Sequence, residues 1–471
     1  MNRPPSACPP HTTSAPPAPP AAPPCFGAAF AWGVATSAYQ IEGAANEDGR
    51  GASIWDTFSH TPGKVADGSN GDVACDHYHR FAEDVDLIAM IGLTDYRFSM
   101  SWPRVQPDGM GGWNEAGFAF YARLLDALEA NGIAAHLTLY HWDLPQALQD
   151  RGGWLDRATA RYFAAYAAEV ARRFGARLAT IATHNEPWCT AELGHASGQF
   201  APGMRDPAAA VLVSHHLLLS HGLAMQAMRA QGASARLGIV LNLWTSVAAT
   251  DTPADHAAAA LNYAKAVQWY MDPLFGGAYP DLALRHLDCS RLRIEPGDYA
   301  TIAQPLDFLG VNYYTRSYVS TETPPRRPPA ALGLSDMGWE IYPQGLTDLL
   351  VGLHSQYRLP PLYITENGMA APDQLLAGAV DDPARVDYLE RHLAALAAAI
   401  AQGVDVRGYF YWSLLDNFEW HCGYAKRFGM VYVDYPSGQR TLKRSALWYR
   451  DFIAAQQAGA GTAAGGPAFQ G

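Results

Sequence analysis

The chain has 471 residues, 49% of them hydrophobic and 17% charged, with a formal net charge of −12, a composition typical of a globular protein with a large core. No basic block or Arg/Lys-rich helix stands out, which argues against a nucleic-acid or anionic-membrane partner, and the acidic excess reads as solubility alone. The length would hold two or three average domains or one α/β barrel.

Residues 1–25 are dominated by Pro, Ala and Ser and lack the apolar segment of roughly 7–15 residues that a secretory leader needs. They read as a disordered tail, because so little apolar surface cannot offset the entropy of ordering. Residues 456–471, rich in Gly and Ala, read the same way and leave 26–455 as a single domain. No apolar run reaches the ~18 residues that span a bilayer. The cysteines, Cys8, Cys25, Cys75, Cys189, Cys289 and Cys422, are scattered without a Cys-x-x-Cys pair. Free or buried thiols in a reducing compartment are expected, with the cytoplasm as default.

Between the tails, β-rich runs alternate with amphipathic segments, the signal of a parallel sheet with helical crossovers. The expected strands are Phe30–Ala35, Tyr96–Met100, Ala134–Tyr140, Ala179–Asn185, Leu237–Leu243, Phe308–Tyr314, Leu362–Thr365 and Val406–Ser413. Phe118, Tyr121, Leu125 and Leu128 fall at helical spacing before Asn131-Gly132, as do Phe163, Tyr166, Val170 and Phe174 before Gly175. Eight such units close most naturally as one (β/α)₈ TIM barrel with elaborated βα loops, whose site lies at the carboxyl ends of the strands. Ser317 to Trp339, with Pro324, Pro325, Pro328 and Pro329, is too long and proline-rich for a tight turn and is expected to be a loop over the mouth.

Two peptides, Thr183-His184-Asn185-Glu186-Pro187 and Ile364-Thr365-Glu366-Asn367-Gly368, each place a glutamate at an expected strand end, the fourth and the seventh. Cleaving a glycosidic bond needs one carboxyl to protonate the departing oxygen and another to face the developing oxocarbenium ion. Other blocks accompany them in order: Phe30-Ala-Trp-Gly-Val-Ala-Thr-Ser-Ala-Tyr-Gln-Ile-Glu-Gly43, Tyr96 to Arg104, Tyr140 to Pro145, Asn312 to Thr315, and Tyr411-Trp-Ser-Leu-Leu-Asp-Asn-Phe-Glu-Trp420. Together these motifs resemble the family 1 glycoside hydrolases, the β-glucosidase family, from Phe26 to about Ile453. Gly27 stands where that family usually has Pro, and His184 where it usually has Phe or Leu.

The resemblance implies a retaining β-glucosidase, with some β-galactosidase or β-fucosidase activity, acting on a small β-glycoside or cello-oligosaccharide. It implies Glu186 as acid/base and Glu366 as nucleophile; the sequence alone does not divide these roles. It places Arg97 and Tyr314 against the nucleophile, and Gln40, His141, Asn185, Trp412, Glu419 and Trp420 around the sugar. Trp188 and Trp339 match positions on the aglycone side, with core packing the alternative for Trp188. Relatives acting on 6-phosphorylated sugars replace Glu419-Trp420, and a carboxylate there repels phosphate, so an unphosphorylated glycoside is implied.

His184 is expected to be a hydrogen-bonded core histidine; the alternative, if its strand stays regular, is a place on the side of Glu186 one layer deeper, tuning the acid. His215, His216 and His221 lie in one helical segment, but neighbours at i and i+1 diverge, so a metal site is not expected there. No cofactor motif appears, and no cofactor or metal is expected. A transglycosidase on the same site and a non-catalytic sugar-binding barrel are the competing readings. The oligomeric state is not encoded in any feature of the sequence.

Overall fold

The computed structural model describes residues 26–463; the tail expected at 1–25, and residues 464–471 of the tail expected at 456–471, lie outside the described residues. Runs rich in β-branched and aromatic residues, which suit a pleated surface covered on both faces, form eight strands. These are β1 (Ala31–Ala35), β2 (Asp95–Ser99), β3 (Ala134–Tyr140), β4 (Thr180–Asn185), β5 (Arg236–Asn242), β6 (Phe308–Asn312), β7 (Leu362–Asn367) and β8 (Val406–Trp412). Each pairs in parallel with its neighbour in sequence, and β8 closes on β1. All eight lie within about two residues of the expected bounds, and the barrel is as anticipated.

Helices surround the barrel: α1 (His77–Met90), α2 (Glu115–Ala130), α3 (Ala158–Phe174), α4 (Pro207–Ala230), α5 (Gln344–Gln356), α6 (Pro383–Ala401) and α7 (Arg444–Ala463). Phe118, Tyr121, Leu125 and Leu128 are buried on α2, and Phe163, Tyr166, Val170 and Phe174 on α3, the stripe that a 3.6-residue period turns inward. The start of α4 is fixed by the Asp206 side chain, which accepts from the Ala209 amide, and by Pro207 in the first turn. By length and hydropathy α4 could cross a bilayer, yet 89% of its most apolar window is buried inside the protein, so it is a core helix.

The barrel interior is a packed plug. Phe308, Tyr363 and Phe410 fill its lower end, with His136 held between Asp95 (2.8 Å) and Thr180 (2.9 Å), and a space of only ≈ 10 Å³ remains. A site can therefore form only above it, at the carboxyl end.

Two expectations need correction. Ser317–Val319 is a short strand that pairs in parallel with Ser246–Ala248, so the segment after β6 is clamped to the segment after β5 before it becomes a loop. Residues 456–463, expected to belong to the carboxyl-terminal tail, are helical instead. Helix α7 continues to Ala463, carried by the helix-favouring run Ala454-Ala-Gln-Gln-Ala458, and the Gln456 side chain accepts from the Phe26 amide at 3.1 Å.

Behind the loop that follows β8 lies a buried ionic network. Lys443 donates to Asp373 (2.5 Å) and Asp416 (2.6 Å), Arg385 pairs with Asp373 (2.7 Å) and with Asp382, and Arg427 pairs with Asp416 (2.7 Å). Lys443, Asp416 and Arg385 are fully buried. Removing one partner of such a set strands the others without water, which costs on the order of 3–5 kcal/mol. Lys443→Met is accordingly expected to lower stability by about that much in chemical denaturation, more than Arg444→Met, whose pair with Asp381 is exposed. Equal losses in the two variants would show that the network contributes no more than a surface pair.

Candidate active site

Glu186 directly follows β4, and Glu366 is the penultimate residue of β7. Both line one cavity of ≈ 650 Å³ at the carboxyl end of the barrel, although 180 positions separate them in sequence.

Neither peptide continues as a regular strand. The register between β4 and β5 shifts between Ala182 and Asn185, and Glu186 takes φ +47°. A left-handed non-glycine residue is costly, and the same region is occupied by Trp142 (φ +82°) and Trp420 (φ +52°), both on the cavity wall. The shift overturns the parity that a regular strand would give His184. Thr183 and His184 both face the helices: Thr183 Oγ1 lies 2.7 Å from His221 Nδ1, and His184 Nε2 lies 2.8 Å from Ser220 Oγ on α4. The His184 ring stacks on Phe163 at 4.5 Å, so it is a core histidine, because the extra residue of a bulge reverses the alternation. His215 bonds Tyr279 and Asp298, and His216 bonds the Trp154 carbonyl; with His221 on Thr183, the three are separately engaged.

The two carboxyls have different partners. Arg97, on β2, donates from Nη1 to Glu366 Oε1 and from Nη2 to Asn185 Oδ1, both at 2.7 Å, and the Tyr314 hydroxyl donates to Glu366 Oε2 at 2.7 Å. Glu186 instead accepts from Asn312 Nδ2 on Oε1 (2.7 Å) and from the Cys189 thiol on Oε2 (3.1 Å). Burial and the charge of Glu366 push Glu186 up to about 8, against the pull of Asn312, Cys189 and Arg97. Glu419 is likewise pushed up to about 8, by burial and by the charges of Glu366 and Glu186.

Glu419, His141, Trp412 and Trp420 line the same cavity. The His141 ring lies nearly parallel to Trp412 (5.8 Å) and Trp420 (5.9 Å). Burial and Arg97 hold its imidazole neutral, well below the usual histidine range, and Nε2 lies 3.2 Å from Asn185 Nδ2. A neutral ring accepting there carries its proton on Nδ1. Among the described residues, His141 Nδ1 and Glu419 Oε2 are buried atoms with no hydrogen-bond partner, one donor and one acceptor at the same cavity. Gln40 lies behind this wall, donating to Asn417 Oδ1 (3.0 Å) and the Phe418 carbonyl (2.8 Å). Asn185 and Arg97 are also behind it. Farther out, Trp339 packs on Tyr314 at 5.4 Å, and Trp188 meets Trp244 edge-on at 5.2 Å; both tryptophans border the cavity.

Asn312, Cys189 and Trp142 are site residues that the sequence reading did not single out. Asn312 begins a quoted motif, and Cys189 stands one helical turn after Glu186, but only the fold shows that they bond Glu186. Trp142 Nε1 donates to the Asn185 carbonyl at 2.9 Å. No group of three or more His, Cys, Asp or Glu suited to a metal occurs among the described residues.

Comparison with known proteins agrees with this geometry. The profile of glycosyl hydrolase family 1 matches residues 23–458. The chain is 45% identical to beta-glucosidase A of Acetivibrio thermocellus over 439 residues, 90% of this chain and 97% of that one. It is 44% identical to a bifunctional beta-D-glucosidase/beta-D-fucosidase of Bifidobacterium breve, covering 91% and 98% of the two chains. The solved beta-glucosidase of Thermotoga maritima in complex with deoxynojirimycin superposes with a TM-score of 0.87 at 42% identity, covering 92% and 99%.

Because folding raises Glu186 and Glu419 from 4.5 to about 8, the folded state favours their protonated forms. The stability this contributes is complete below 4.5, the unfolded value, and is lost as pH rises through about 8. Glu186→Gln and Glu419→Gln should each flatten the fall in melting temperature between about pH 5 and pH 8 relative to the parent. Parallel curves in thermal melts across that range would count against these raised values.

Proposed function

The chain belongs to glycosyl hydrolase family 1 and is a retaining β-glucosidase, and from that premise we propose which residues carry the reaction. Glu366 is the nucleophile and Glu186 the acid/base. The observation that carries this division is the difference in hydrogen-bond donors. A guanidinium and a phenol on Glu366 stabilise the charged, oriented carboxylate that must attack. An amide and a thiol on Glu186, with the acid raised to about 8, leave a carboxyl that still holds its proton near neutral pH.

In the first step Glu186 gives its proton to the glycosidic oxygen as Glu366 attacks the anomeric carbon; the C–O bond to the aglycone breaks and a glycosyl ester forms. In the second, Glu186, now a carboxylate, takes a proton from water, whose oxygen displaces Glu366 from the same carbon. His141 Nδ1 and Glu419 Oε2 supply a donor and an acceptor to the sugar hydroxyls, with Trp412 and Trp420 beside the ring.

The substrate is a β-glucoside without a 6-phosphate. A phosphate would need a free cation, and the two that border the cavity are engaged, Lys426 by Asp336 at 3.0 Å and Arg316 by Glu340 at 2.7 Å. The outer wall of Trp188, Trp244, Phe200, Met337 and Trp339 suits an aryl aglycone or the next glucose of a short cello-oligosaccharide. One solved relative, the virulence factor SghA, is described with its substrate analog salicin, which supports an aryl glucoside as the first assay substrate.

Glu366→Gly should abolish hydrolysis yet still transfer glucose from α-glucosyl fluoride to an acceptor, because that donor mimics the ester and Glu186 remains as base. Glu186→Gly should lose activity on alkyl glucosides but keep most of its glycosylation rate on dinitrophenyl glucoside, and azide should then yield the β-glucosyl azide. An α-azide from the Glu366 variant, with none from the Glu186 variant, would mean the roles are reversed. Glu419→Ala should reduce kcat/KM on the order of 10²-fold, because a sugar hydroxyl buried in the transition state loses its hydrogen-bond partner. An unchanged value would remove Glu419 from the sugar site.

A further inference from the structure

Cys189 opens an irregular helix, Cys189–Ala196, just past β4. Its amide donates to the Glu186 carbonyl at 2.9 Å, which fixes the thiol three residues beyond the acid, and Sγ lies 3.1 Å from Glu186 Oε2. Asn242 Nδ2 approaches the same sulfur at 3.8 Å. The other oxygen, Oε1, is held by Asn312 Nδ2, and the Asn312 amide is oriented by Thr365 Oγ1, which donates to Oδ1 at 2.7 Å. An amide N–H can only donate, so Oε1 is committed as an acceptor and the transferable proton belongs on Oε2, the oxygen beside the thiol.

We propose that Cys189 is a positioning residue for the acid/base: its thiol orients Oε2 and donates to the carboxylate that remains once the proton has passed to the leaving group. This rests on the reading of Glu186 as acid/base. The other titratable or charged groups around Glu186 are Glu366 on β7, Arg97 on β2, Tyr314 after β6, His141 after β3 and Glu419 after β8. None of them bonds Oε2 in the described structure. The thiol is therefore the one of these groups whose removal acts directly on that oxygen.

The test is the pH dependence of kcat/KM for an alkyl β-glucoside, which needs the acid, in Cys189→Ala, Cys189→Val and Cys189→Ser. Val keeps bulk without a donor, and Ser keeps a donor. Loss of a donor to the carboxylate should move the alkaline limb upward by about half a unit in the Ala and Val variants, while the Ser variant should stay at or below the parent. Dinitrophenyl glucoside, which departs without protonation, reports whether each variant retains a folded site. Limbs that move alike in all three variants, or in none, would overturn the proposal. If instead Glu186→Gly loses activity equally on alkyl and dinitrophenyl glucosides and azide does not rescue it, the reading of Glu186 itself has failed, which is a distinct outcome.

Discussion

One guanidinium, that of Arg97, meets the inner part of a site where three glutamates, Glu186, Glu366 and Glu419, line one cavity. It donates to Glu366 and to Asn185, the residue next to Glu186. In a buried site charges attract and repel strongly, so one positive charge supports one carboxylate well and three poorly. The outcome is an unequal set of surroundings. Glu366 holds Arg97 and Tyr314 on its oxygens, while Glu186 and Glu419 are both pushed up to about 8 by burial and by negative neighbours. On the proposed division of roles, a nucleophile and an acid arise from the same residue type through their surroundings.

Holding that arrangement requires a rigid frame. The packed plug beneath it keeps the strands apart, and the ionic network around Lys443 anchors the loop that carries Glu419 and Trp420. Local irregularity does the fine placement. The bulge in β4 and the left-handed backbone of Glu186, Trp142 and Trp420 aim side chains that a regular strand or turn would direct elsewhere. His184 and Thr183 then face α4 and tie the bulge to the helical layer.

The periodicity of the chain and its turn residues determined the eight strands, the helices between them and the barrel they close, because alternation and glycine stops are local properties of sequence. The two glutamates at strand ends, and the aromatic and polar residues of the matching motifs, were legible for the same reason: the chemistry needs those residue types. The division of roles between Glu186 and Glu366 was not, since both are glutamates after β-rich runs. The resemblance set Arg97 and Tyr314 against Glu366, but only the tertiary structure decided that Asn312 and Cys189 bond Glu186, because those contacts depend on another strand and on the exact path of the chain past β4. The same limit explains His184. Its side depends on a bulge set by pairing with β5, and the end of α7 and the pairing of Ser317–Val319 likewise depend on neighbours distant in sequence.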